Sequence, residues 1–159
     1  MMGKKCTVTF EDVSVSAAQD MISIKAASTK PIRILRYWVG ATDTTLPTSQ
    51  MLKLRARAAT ATLTAGSGGN SATPVCLDIT NTTTVSATAR KNDTTGATTS
   101  GAFTIVDEQG VHIYNGYDSA VAGRDPIDIP ISGGFVWELL STVTGTVHLD
   151  GGVDFEEVG

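Results

Sequence analysis

Two histidines, two cysteines and a carboxylate-rich end are the side chains here whose types could do chemistry, and spacing decides whether they do. His112 and His148 fall in separate predicted strands. Neither belongs to a His-x-x-x-His pair that could hold zinc, and no Gly-x-Ser-x-Gly elbow supplies a nucleophile for either to deprotonate. We therefore expect no catalytic residue. Cys6 and Cys76 stand 70 positions apart with no neighbour at metal-ligand spacing. Two reduced, packed thiols are the expectation, and a disulfide is the alternative. Asp150, Asp154, Glu156 and Glu157 gather around a Gly-Gly pair that could offer carbonyls to calcium. Their ligand density falls short of a calcium loop, so a solvated terminal face is expected. The run GSGGNSATP, Gly66 to Pro74, lacks the Gly-Lys-Thr ending of a phosphate cradle and reads as a flexible turn. No metal and no cofactor is expected.

The strongest candidate contact surface is Lys53, Arg55 and Arg57. They alternate with Leu52, Leu54 and Ala56 in MLKLRARAATATLT, and a period of two puts all three cations on one face of a strand. They would span roughly 13 Å, which suits an acidic protein surface. A sequence pI near 5.0 and the lack of interleaved aromatic residues argue against nucleic acid. Since the three lie opposite the apolar residues, none should be needed to hold the core.

Charge is unevenly spread. Through Lys91, eleven Lys and Arg meet five Asp and Glu, a balance of +6; beyond it Arg124 alone meets eleven acids, −10, and together they make the net −4. Interleaved halves would pair basic strands with acidic neighbours across the sheets. Separate basic and acidic flanks would instead draw identical subunits together head to tail.

The elements that must position these residues are strands. Of 159 residues, 41% are hydrophobic and only 18% charged, and the remainder is rich in Thr, Ser, Gly and Asn, which favour strands and turns. Met51 to Thr64 reads as one long central strand. Cys6 to Phe10 alternates, then changes phase at Glu11 and Asp12, as a bulge does. Met21 to Ala26 and Ile32 to Val39 follow, the latter apolar on both faces. Short strands are predicted at Val75 to Ile79, Ala102 to Val106, Val111 to Tyr114, Phe135 to Leu140, Thr144 to Leu149 and Val153 to Val158. Asp107 to Gly110 reads as a turn, and the low-complexity Asn81 to Gly101 as an exposed loop or Thr-rich edge. Pro126 to Ile131 alternates but carries two prolines, so it belongs at an edge. No window has helical periodicity. The expectation is an all-β, single-domain antiparallel β-sandwich over residues 1–159, of jelly-roll form. MMGKK leads into a polar stretch, so no secretory signal and no membrane span is expected.

TVTFEDVSVSAAQDMISIKAASTKPIRIL, the middle GSGGNSATPVCLDI with ATARKNDTTG, and the closing DFEEVG together resemble a group of small virion-associated proteins of tailed bacteriophages and prophages. The resemblance covers most of the chain. It implies a non-enzymatic structural protein of the phage particle, a capsid decoration or cement protein. Such a protein is made in the host cytoplasm, resides in the virion and docks on the major capsid protein or another virion protein as a homo-oligomer, with a trimer favoured. A neck or tail position is the variant of that reading. The rival class is a carbohydrate-binding sandwich, for which Tyr114, Asn115, Tyr117 and Asp118 offer an aromatic and polar patch.

Overall fold

A computed structural model describes residues 3–80 and 83–159. Among them the chain forms strands and no helix. In order these are β1 (Lys4–Val15), β2 (Gln19–Lys25), β3 (Ile32–Ala41), β4 (Met51–Ala59), β5 (Leu63–Thr64), β6 (Asn70–Ala72) and β7 (Val75–Cys76). The second half supplies β8 (Thr88–Asp93), β9 (Thr98–Thr99), β10 (Phe103–His112), β11 (Tyr117–Asp118), β12 (Ile127–Ile129), β13 (Gly134–Leu139) and β14 (Val147–Glu157). One sheet runs β11-β3-β14-β1-β7, with β12 also on β3; the other runs β10-β4-β13-β2-β8-β6. Every pairing is antiparallel, and the two sheets pack as a β-sandwich. β1, β2, β3 and β4 alternate between the two sheets, β8, β10 and β13 stay in the second, and β14 returns to the first.

The core follows from alternation. Val8, Phe10, Ile34, Tyr37, Val153 and Phe155 from one sheet meet Ile22, Ile24, Leu52, Leu54, Phe135 and Trp137 from the other. Bulges keep the alternation in phase. The β1–β14 register shifts between Phe10 and Val13, and Asp12 takes a φ of 48° there, as the phase change in the sequence predicts. On β3 the apparent double apolar face is another such shift. Asp154 pairs with Arg36 and Phe155 with Ile34, leaving Leu35 as the extra residue, so Ile32, Ile34, Tyr37 and Val39 all face one core. The prolines flanking β12 leave it where expected, at an edge beside β3 alone.

Three expectations are corrected. Met51 to Thr64 is not one strand: β4 stops at Ala59, and Leu63–Thr64 joins β9 in a separate ribbon. That ribbon covers the outer face of the second sheet, where Ala59, Leu63, Ala97 and Val136 form a small second core. With both its faces covered, β13 is buried along its whole length. Asp107 to Gly110 is no turn, because β10 runs through it with a bulge between Ile105 and Asp107. Nor is Gly66 to Pro74 a loose turn. A Cβ on Gly69 would lie 2.2 Å from the Lys91 carbonyl oxygen, so glycine is needed there for β6 to approach β8. Of the Thr-rich stretch, Asn81 and Thr82 lie outside the described residues, while β8 sits between β2 and β6.

Candidate functional site

The cationic strip lies on the outer face of β4, as its spacing requires, but the three side chains meet different surroundings. Lys53 is 58% exposed and pairs with Glu108 at 3.0 Å. Arg55 is 26% exposed and donates to Glu138, directly opposite it on β13. Arg57 is 16% exposed, with Nη2 at 3.1 Å from Glu138 Oε2 and 3.8 Å from Asp20 Oδ1, and its guanidinium carbon lies 4.0 Å above the Phe103 ring centre. Asp20 Oδ2 also accepts the Ala97 N–H at 2.6 Å. Burial pushes the Asp20 carboxyl up to about 6, with the Ala97 hydrogen bond pulling against it and Glu138 adding to it. The expectation that none of the three cations supports the core therefore holds for Lys53, whereas Arg55 and Arg57 compensate buried carboxylates. One apolar run held the missed signal: in FVWELL, a lone Glu among large apolar residues needs a cation opposite it.

The same pairing runs through the molecule. Lys30 meets Glu157, Arg33 meets Asp128, and Arg36 meets Asp118 and Asp154. Basic residues of the first half thus meet acidic residues of the second across the sheets, so the interleaved arrangement accounts for much of the charge asymmetry. Nor is the acidic end wholly solvated. Glu157 is buried, and its Oε2 accepts the Ser86 and Ala87 N–H groups at 2.7 and 2.9 Å. Among the described residues, no group of three His, Cys, Asp or Glu side chains is placed to hold a metal ion.

His112 and His148 stay apart in role. The ring of His148 meets Asp12 at 2.7 Å, a contact that raises its pKa. His112 Nε2 lies 2.9 Å from Ser49 Oγ, and its Nδ1 accepts the Tyr114 N–H at 3.4 Å.

A groove of about 570 Å³ opens between β3 and the segment around β11, and Trp38, Tyr114, Asn115, Tyr117, Asp118 and Asp150 contribute to its lining. Its wall is held by a residue that sequence reasoning missed. The β10 bulge turns Asp107 inward opposite Ala56, where its carboxylate accepts from Tyr37 (3.0 Å), Tyr117, Gln109 (3.0 Å) and Arg124 (2.8 Å). Burial alone would raise this carboxyl; the four donors outweigh it and hold it below the usual range. Tyr37, Tyr117 and Trp137 cluster around the site with ring centres 4.9 to 6.1 Å apart, the two tyrosines stacked and Trp137 tilted against both. Many polar groups of the groove already have partners. Tyr114 Oη donates to the Pro47 carbonyl at 2.7 Å, Asp118 is gripped by Arg36 at 2.6 Å, and Arg36 also lies 4.5 Å above Trp38.

No family model, curated protein or solved structure matches this chain.

Proposed function

We propose that this protein is a non-enzymatic structural component of a bacteriophage particle, a decoration protein that docks on the major capsid protein as a homo-oligomer with the trimer favoured. The observation that carries the reading is a row of apolar side chains at a sheet edge. Val75, Leu77 and Ile79 are 59%, 56% and 88% exposed at and beyond β7, the end strand of its sheet. Alternate large apolar residues on an edge are a surface that assembly covers, and we assign them to contact between copies. The strand order supports a jelly-roll connection: β1-β14-β3 followed by β11 and β12 faces β2-β13-β4-β10, a form found in both viral capsid and lectin domains. Of the strip, Lys53 keeps the most surface for an acidic capsid partner.

Electron microscopy of particles with and without the protein tests the location, and absence of added density on the head would overturn it. Sedimentation tests the oligomer. Association through the apolar row should survive high salt, whereas charged flanks would separate; a Leu77→Ser, Ile79→Ser variant should be monomeric. A wild-type chain that is monomeric at every concentration would overturn the assembly reading.

The groove favours one second reading, a carbohydrate-binding module, because Tyr114, Asn115, Tyr117 and Asp118 do meet there beside Trp38. Against it, the Tyr114 hydroxyl and the Asp118 carboxylate are already engaged within the chain. Saturable binding on a glycan array, lost in Tyr114→Ala, would promote it.

A further inference from the structure

The two cysteines, 70 positions apart in the chain, are direct partners in the fold. Cys6 of β1 pairs with Cys76 of β7, and their sulfurs lie 3.2 Å apart. The neighbouring Leu77 N–H donates to the Lys5 carbonyl at 2.9 Å. That bond makes Lys5–Leu77 the hydrogen-bonded pair and Cys6–Cys76 the adjoining non-hydrogen-bonded one, in which Cα atoms approach to about 4.5 Å. This is within the span a disulfide bridges, and closing to the bonded length of about 2.05 Å asks only for a small adjustment of the two side chains. Both are free thiols here.

We infer that Cys6 and Cys76 are a built site of oxidative cross-linking, closing to an intrachain disulfide by exchange with a small disulfide such as oxidised glutathione. The half-buried Cys76 sulfur attacks one glutathione sulfur, forming a mixed disulfide and releasing the first glutathione thiol. Cys6, fully buried beside it, then attacks Cys76 Sγ and expels the second. Two protein thiols lose two electrons and two protons, and one glutathione disulfide becomes two thiols. Burial, then the neighbouring Cys76, push the Cys6 thiol up to about 12, so ring closure should accelerate about tenfold per pH unit near neutrality, in step with the thiolate fraction.

The bond would fasten the edge that carries Val75, Leu77 and Ile79, whose β7 holds β1 by only two register pairs. Its timing alone rests on the proposed function: a chain made in a reducing cytosol and carried out in a particle would close the bond on release.

The test equilibrates the isolated full chain in glutathione mixtures of graded ratio, quenches with acid, then unfolds it in guanidinium with N-ethylmaleimide and measures intact mass and linked peptides. The expected result is two labels under reducing conditions and none under oxidising ones. The oxidised chain should be two hydrogens lighter, with a Cys6–Cys76 peptide and a melting temperature higher by roughly 10 °C. A Cys6→Ser variant should instead hold one glutathione on Cys76. Wild-type protein that keeps two alkylatable thiols at every ratio, retains glutathione without closing, or cross-links between chains would overturn the inference. Because the assay uses isolated protein, its failure would leave the virion reading standing.

Discussion

Arg57 Nη2 lies 3.1 Å from Glu138 Oε2, on a sheet face where Glu138 is almost fully buried and Arg55 donates to the same carboxylate. Two cations of one alternating strip therefore hold one buried charge, and the third cation does not share it.

The strip should accordingly divide on mutation. Lys53→Ser should change stability by less than about 0.5 kcal/mol, because Lys53 and its partner Glu108 are both solvated. Arg55→Ser and Arg57→Ser together should cost on the order of 3 to 5 kcal/mol by stranding Glu138. Urea denaturation of each variant measures this, and equal small losses throughout would show that Glu138 is solvated after all.

Asp20 should make the protein less stable as pH rises. Its folded carboxyl is pushed up to about 6, above its ordinary value, so its contribution is fully present below about pH 4 and is lost as pH climbs through 6. The loss is on the order of 3 kcal/mol. Asp20→Asn should flatten that limb and exceed wild type in stability at pH 7.5 while matching it near pH 4. A variant weaker than wild type at pH 7.5 would mean that the attraction of Arg57 outweighs the burial.

Asp107 has the opposite sign. Its folded carboxyl is held below the ordinary range, so it stabilises the fold above about pH 4 and this support disappears as pH falls through the lowered value. Asp107→Ala should cost about 3 kcal/mol at pH 7, leaving Tyr37, Tyr117, Gln109 and Arg124 without their acceptor. It should also remove part of the acid-unfolding limb. An unchanged acid midpoint by circular dichroism would count against this role.

Gly69→Ala should detach β6, since its Cβ would meet the Lys91 carbonyl oxygen at 2.2 Å. Hydrogen exchange at Asn70–Ala72 should accelerate while β13 stays protected. Protection unchanged at β6 would show that the strand can shift to make room.

What was legible in the sequence was what alternation encodes. Leu52, Leu54 and Ala56 turn inward, the bulge at Asp12 shows as a phase change, and the prolines confine Ile127–Ile129 to an edge. What escaped depends on partners far along the chain. Asp107 in VDEQG looks like turn chemistry because its burial rests on Tyr37 and Arg124, and a spacing of 70 residues leaves a Cys6–Cys76 pair only the alternative because β7 reaches β1 only in the folded sheet. Lys53, Arg55 and Arg57 were placed on the right face, but a period of two cannot report that the loop through Ala97 and the carboxylates of Asp20 and Glu138 cover part of that face.

The pairing of β1 with β14 makes the closing of this sheet a long-range event. Lys4 opposes Glu157 and Val15 opposes Val147, so β1 has its principal neighbour in a strand that leaves the ribosome long after it. Until then β1 can pair only with the two residues of β7, and the sheet gains its middle only when Val147–Glu157 arrives between β1 and β3. Such long-range closure makes folding slow. It leaves Val8 and Phe10 of β1 open to other chains until β14 is made, so yield in a host cell should depend on chaperones and temperature more than on the stability of the finished fold.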